Sequence, residues 1–141
     1  MPPRKTILIV CGNEVTASVL RTQMDVWGYA VTVQHDRSKV AAQLAAKPFD
    51  LVLMKAPEEQ ARWQDFAQLA EEIYPLQKFR GSKLAIYDKH KSFPDDLAPG
   101  VDRIKNMGYE VEHLRHSLKS LMARKRGPNP NRMSIYIPEA A

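Results

Sequence analysis

Lys55 stands at the end of the run Leu51, Val52, Leu53, Met54, within the stretch FDLVLMKAP at 49–57. Four consecutive apolar residues between Asp50 and Pro57 read as a short buried strand. A strand without alternation suits the centre of a parallel sheet covered on both faces. In an open α/β sheet the functional crevice lies outside the carboxyl ends of the strands, so Lys55 brings its ammonium to that crevice. Cys11 follows the first apolar run, TILIV at 6–10. A thiol beside an ammonium could be an activated nucleophile; a small buried hydrophobe is the other reading of the same residue. At the far end of the chain, Arg124, Lys125, Arg126, Asn131, Arg132 and Tyr136 combine cations, an amide and an aromatic around Gly127, Pro128 and Pro130. An arginine can hold a guanine O6/N7 edge bidentately or stack its plane on a base. Gly127 lets backbone approach a phosphate, and the prolines lower the ordering entropy of the loop. The bland alternative for this tail is a solvated basic end or a linker. His113 and His116 are spaced to share a metal on one helix face, but no third ligand lies near them in sequence. A solvated helix face is their default, and no metal site is expected.

Composition narrows the setting. A chain of 141 residues, 44% hydrophobic and 26% charged, fits one globular domain with a single core. No apolar run is long enough to cross a membrane. The N-terminus MPPRKTILIV is basic, then briefly apolar, and runs into polar residues, which suits a first strand better than a signal peptide. One cysteine excludes an internal disulfide and cannot build a zinc site alone. The expected setting is cytoplasmic, with no membrane partner. Between His113 and Pro138 there are six lysines and arginines and no Asp or Glu, while the whole chain carries a net +5. The remainder is therefore close to neutral, and the excess at one end points to an anionic partner for that end.

The elements that must position these residues alternate. Strands are expected at 6–10, 29–34, 51–54, 83–87 and 103–106. A helix at 13–27 repeats Val15, Val19, Leu20, Met24 and Trp27 at helical spacing, with Gly28 as its C′ residue. A second helix at 38–46 stops before Pro48. A third at 58–74 uses Trp63, Phe66, Leu69, Ala70 and Ile73. A short fourth helix at 91–101 centres on Leu97, interrupted by Pro94 and Pro99. The last, at 111–123, carries Val111, Leu114, Leu118, Leu121 and Met122 on one face. Five βα units imply an α/β fold: a (βα)5 doubly wound, five-stranded parallel sheet with helices on both faces. The domain spans 1–123, and 124–141 form a basic, proline-containing tail in which SIYIP could add a short strand.

The stretches TILIVCGNEVTASVLRTQMDVWGYAVTV and PFDLVLMKAP, then SKLAIYDK and GVDRIKNMGYEVEHLRHSL, resemble a CheY-like response-regulator receiver domain over residues 5–123. The resemblance implies an acidic pair after strand one, a phosphoryl-accepting aspartate ending strand three, a Ser or Thr ending strand four and a lysine after strand five. Here those positions hold Cys11 and Gly12, Lys55, Tyr87 and Met107. Mg²⁺ needs oxygen ligands, usually carboxylates, and a lysine amine cannot form an acyl phosphate. The expectation is a degenerate pseudo-receiver with no catalytic residue and no cofactor, hence not an enzyme. Lys55 either locks the crevice in one state in place of the metal or simply snorkels to solvent. Tyr87 is either a two-position switch or a rim aromatic with its hydroxyl in water.

The tail is similar to the arginine-rich extension of CheY-like proteins that bind cyclic di-GMP, through Arg126, Gly127, Pro128, Asn131 and Arg132. That resemblance implies a cyclic di-GMP receptor or adaptor, with Arg124, Arg126, Asn131, Arg132 and Tyr136 as ligand contacts. The alternative is an adaptor that docks a histidine kinase, motor or regulatory protein through its last strand and helix, which carries His113, Arg115, His116 and Lys119 on its polar side. No helix-turn-helix follows the domain, so specific DNA binding is not expected. Receivers often pair through the last helical face, so a homodimer is compatible with the resemblance.

Overall fold

A computed structural model of the chain describes residues 4–105 and 110–123. Five strands form one parallel sheet: β1 (Thr6–Val10), β2 (Ala30–Gln34), β3 (Leu51–Lys55), β4 (Lys83–Asp88) and β5 (Asp102–Lys105), in the order β2-β1-β3-β4-β5. The helices are α1 (Glu14–Val26), α2 (Val40–Ala46), α3 (Trp63–Phe79) and α4 (Glu110–Ala123), with short 3₁₀ turns before α2 and α3. The expected doubly wound α/β sheet is therefore present.

The unbroken apolar runs follow from burial on both faces. Along β1 and β3, Ile7, Ile9, Leu51 and Leu53 pack with Ala17, Leu20 and Met24 of α1 and with Leu114, Leu118 and Leu121 of α4. Their alternating neighbours Leu8, Val10, Val52 and Met54 pack on the opposite face with Val40, Leu44, Phe66, Ala70 and Ile73. A one-residue slip of β3 would exchange the two sets, so register is fixed by shape on both faces.

Local signals account for most helix ends. Asn13 caps α1 by accepting the Thr16 N–H at 2.9 Å. Beyond Val26, Gly28 takes φ +97°, its N–H reaches the Asp25 carbonyl, and the Tyr29 N–H reaches the Met24 carbonyl. That is a Schellman ending, which needs a residue tolerant of the left-handed region.

The structure departs from the expected elements in three places. In α1 the buried face is Ala17, Leu20 and Met24, whereas Val15 and Val19 are 74% and 62% exposed. Both stripes have helical spacing, and only the sheet chooses between them. α3 starts at Trp63 rather than at 58, after a 3₁₀ turn at Gln60–Arg62, and does not stop at Tyr74 but continues through Pro75 to Phe79. Proline costs that turn one backbone bond. Buried Gln77 offsets the loss by donating to the Phe49 and Lys83 carbonyls, as Arg80 does to Leu44. No helix forms between β4 and β5, where one was expected at 91–101. Pro94 and Pro99 oppose it, and the segment has another source of order. The Asp88 carboxylate accepts the N–H groups of Ser92 and Phe93. Phe93 packs edge-on against Trp63 and Phe66. Arg103 lies over the Phe93 ring and donates to the Pro94, Leu97 and Ala98 carbonyls.

Candidate functional site

In the strand order β2-β1-β3 the chain's winding reverses between β1 and β3, so their carboxyl ends flank the crevice where such folds bind ligands. A cleft of about 370 Å³ lies there, lined by Cys11, Gly12 and Asn13 after β1, His35 and Arg37 after β2, and Lys55, Glu58, Glu59 and Arg62 from the end of β3 onward. Thr16 of α1 and Phe66 of α3 complete its walls.

Lys55 is half-buried, and its Nζ donates to the carbonyl of Ala56 at 2.9 Å. Among the described residues it is in no ion pair with a carboxylate. Cys11 is 4% exposed, and its thiol donates to the Asn13 carbonyl at 3.5 Å. Burial pushes this thiol above its ordinary range; the Asn13 contact and the Lys55 charge oppose the shift without overcoming it. That favours the buried-hydrophobe reading of Cys11 over the activated nucleophile. His35 Nδ1 lies 3.0 Å from the Cys11 carbonyl, which can only accept, so the ring holds a proton on Nδ1. Glu58 reaches across to His90 at 3.1 Å, with both side chains largely exposed.

Tyr87 pairs with Lys55 in the ladder but does not reach the cleft. It is 4% exposed and packs with Ile104, Leu114 and Leu118. The rim position with the hydroxyl in water is thus overturned: strand alternation points Tyr87 under the α1/α4 layer. Met107 lies outside the described residues, as do Arg124, Arg126, Asn131, Arg132 and Tyr136. Among the described residues, His113 and His116 find no third partner, and no set of three His, Cys, Asp or Glu side chains is arranged to hold a metal. No described helix is long and apolar enough to cross a membrane.

No protein-family model matches the chain, and no curated protein sequence does. Solved structures do match it. A CheY-like receiver domain from Methylobacillus flagellatus superposes with a TM-score of 0.68 at 15% identity, over 84% of this chain and 99% of that one. The fold is that of a CheY-like receiver domain. The response regulator TrrA of Thermotoga maritima, solved in complex with Mg²⁺ and BeF, matches with a TM-score of 0.68 at 18% identity, over 83% of this chain and 98% of that one. The N-terminal domain of a response regulator/sensory box/GGDEF three-domain protein from Carboxydothermus hydrogenoformans gives 0.66 at 18% identity, over 84% and 94%.

On this receiver fold, the cleft brings together three of the positions singled out in the sequence: Cys11, Gly12 and Lys55. Sequence reasoning missed His35, Arg37, Glu58, Glu59 and Arg62. Their signal was available, because each follows the carboxyl end of β2 or β3 by no more than seven residues. Also missed was Asp88, 2% exposed, whose carboxylate orders the segment after β4.

Proposed function

We propose that this chain is a receiver-fold signalling protein that works without phosphorylation, by noncovalent binding. The observation that carries this reading is Lys55 at the carboxyl end of β3, its ammonium in the crevice beside Cys11 and Gly12. Neither Cys11 nor Gly12 supplies a side-chain oxygen for a divalent cation, and an ammonium at that place repels one. Glu58 and Glu59 are the only carboxylates among the described residues of the cleft lining, and Glu58 is drawn to His90. Incubation with Mg²⁺ and beryllofluoride, or with acetyl phosphate or a phosphohistidine kinase, should leave mass and backbone NMR shifts unchanged. A stoichiometric adduct anywhere in the crevice overturns the reading.

The ligand proposed for the tail is cyclic di-GMP, contacted by Arg124, Arg126, Asn131, Arg132 and Tyr136. It is supported by the concentration of cations at this end of the chain and by the tail's residue pattern. Calorimetric titration into the full chain should give saturable binding that GTP does not. The variant R126A/R132A should lose it by at least tenfold, since a charge-assisted contact contributes about 1.5–3 kcal/mol. Equal heats for both chains, or for GTP, remove this ligand.

One feature favours the protein-adaptor reading as well. β5 is an edge strand, and a cleft beside it is lined by Arg103, Ile104, His116, Ser120 and Leu121. A partner docked there, such as a kinase or motor component, would lose affinity on His116→Glu, and the isolated chain would keep its fold. Unchanged affinity would send the search to another face.

A further inference from the structure

We propose that the crevice between β1 and β3 is a metal-free, noncovalent site for a small phosphate-bearing anion, held by Lys55 with Arg37 and Arg62. The inference rests on the reading above that this crevice takes no covalent phosphoryl group. It concerns residues other than those of the tail.

Three observations carry it. First, the cleft of about 370 Å³ is a formed concavity at the switch point of the sheet, and it falls within the usual range for small-ligand sites, about 300–1,000 Å³. Second, its lining contains three cations that come from separate segments: Lys55 from the end of β3, Arg37 from the turn after β2, and Arg62 from the turn before α3. Among the described residues none of the three is in an ion pair; the pairs present are Arg4–Asp25, His90–Glu58 and Lys105–Asp95. Lys55 spends one N–H on the Ala56 carbonyl, which leaves two donors for a ligand. Third, the chemistries divide the work. A lysine ammonium is a compact point charge for a phosphate oxygen, and an arginine fork can take two oxygens at once.

The carboxylates of the lining refine the ligand class. Glu58 and Glu59 are exposed. They disfavour a polyanion and favour a single phosphate group on a small molecule that also carries N–H or O–H donors. A phosphate monoester with a polar body fits that pattern.

The test titrates inorganic phosphate, and separately a nucleoside monophosphate, into the ¹⁵N-labelled full chain without Mg²⁺. Sodium chloride at matched ionic strength is the control. Expected are saturable shifts confined to the amides lining the cleft, those of Gly12, Arg37, Lys55, Ala56 and Arg62 among them, with the monophosphate binding more tightly. Lys55→Met should weaken binding about tenfold or more, the loss of one charge-assisted contact. Arg37→Ser, on the surface of a turn, should weaken it several-fold without touching the core. Non-saturating shifts reproduced by chloride, or binding unchanged in both variants, would overturn the site. A parallel arm with Mg²⁺ and beryllofluoride separates the two readings. An adduct there sinks the phosphorylation-independent reading, whereas the phosphate arm alone decides this one.

Discussion

At the scale of single residues, the crevice is decided by what stands at 11, 12 and 55. A Cβ added at Gly12 would meet nothing within 4 Å, so a side chain can be started there without clash. Gly12→Asp is expected to leave stability within about 0.5 kcal/mol, the ordinary range for surface substitutions. Lys55→Asp alone should bind Mg²⁺ weakly at most, and the double variant should bind it more tightly in calorimetry, because carboxylates at both 12 and 55 supply oxygen ligands from the two strand ends that flank the cleft. No heat from the double variant would mean that the loops hold these side chains apart. Cys11 makes a second residue-scale test. Burial raises its thiol, so the folded chain keeps the proton longer than the unfolded one. Its contribution to stability is therefore flat below the ordinary thiol range and falls as pH rises through it. Alkylation by iodoacetamide at mildly alkaline pH should be much slower in the native protein than in urea. Equal rates would contradict a buried thiol.

Among the elements, the segment between β4 and β5 is the one that departs from an alternating sheet-and-helix plan. It is held by side chains rather than by helical bonds. Phe93, 3% exposed, is its apolar anchor, and Arg103 satisfies three of its carbonyls. Phe93→Ala should cost about 3–5 kcal/mol as a large-to-small core change. Arg103→Met keeps much of the stem but strands those carbonyls, at about 2 kcal/mol or more. Urea denaturation reads both, and values within error of wild type would mean that the segment is ordered by something else. The end of α1 offers a cleaner backbone test. Gly28 at φ +97° has open space around it, so Gly28→Ala costs conformational strain alone, about 1–3 kcal/mol.

For the whole molecule, the charge distribution sets the behaviour to be measured. The described domain carries its crevice cations among carboxylates, whereas the basic excess of the chain lies between His113 and Pro138. A generic basic tail should lose most of its binding to any polyanion as salt is raised, and a guanine-reading site should keep its preference for guanine. Competition of cyclic di-GMP against a polyanion at two ionic strengths distinguishes them. The outer face of α1 presents Val15, Val19 and Val26, all more than 60% exposed. Val19→Ser should leave the melting temperature unchanged, which an occupied core position would not.

The sequence by itself determined the strands, their parallel arrangement and the place of Lys55. Buried strands have to be continuously apolar, and a helix that ends on Gly28 announces itself chemically. It also set the carboxylate-free identities at 11, 12 and 55, since residue type is sequence. The tertiary structure alone decided the rest. It chose Ala17 over Val15 as the inner face of α1, because two stripes of equal period differ only in what the sheet covers. It carried α3 past Pro75, because distant carbonyls at Phe49, Lys83 and Leu44 accept hydrogen bonds from its last turn and the residue after it. It turned Tyr87 inward through the two-residue period of β4. And it gathered Arg37, Lys55 and Arg62 around one cleft, because the switch in winding brings together loops that the chain keeps far apart.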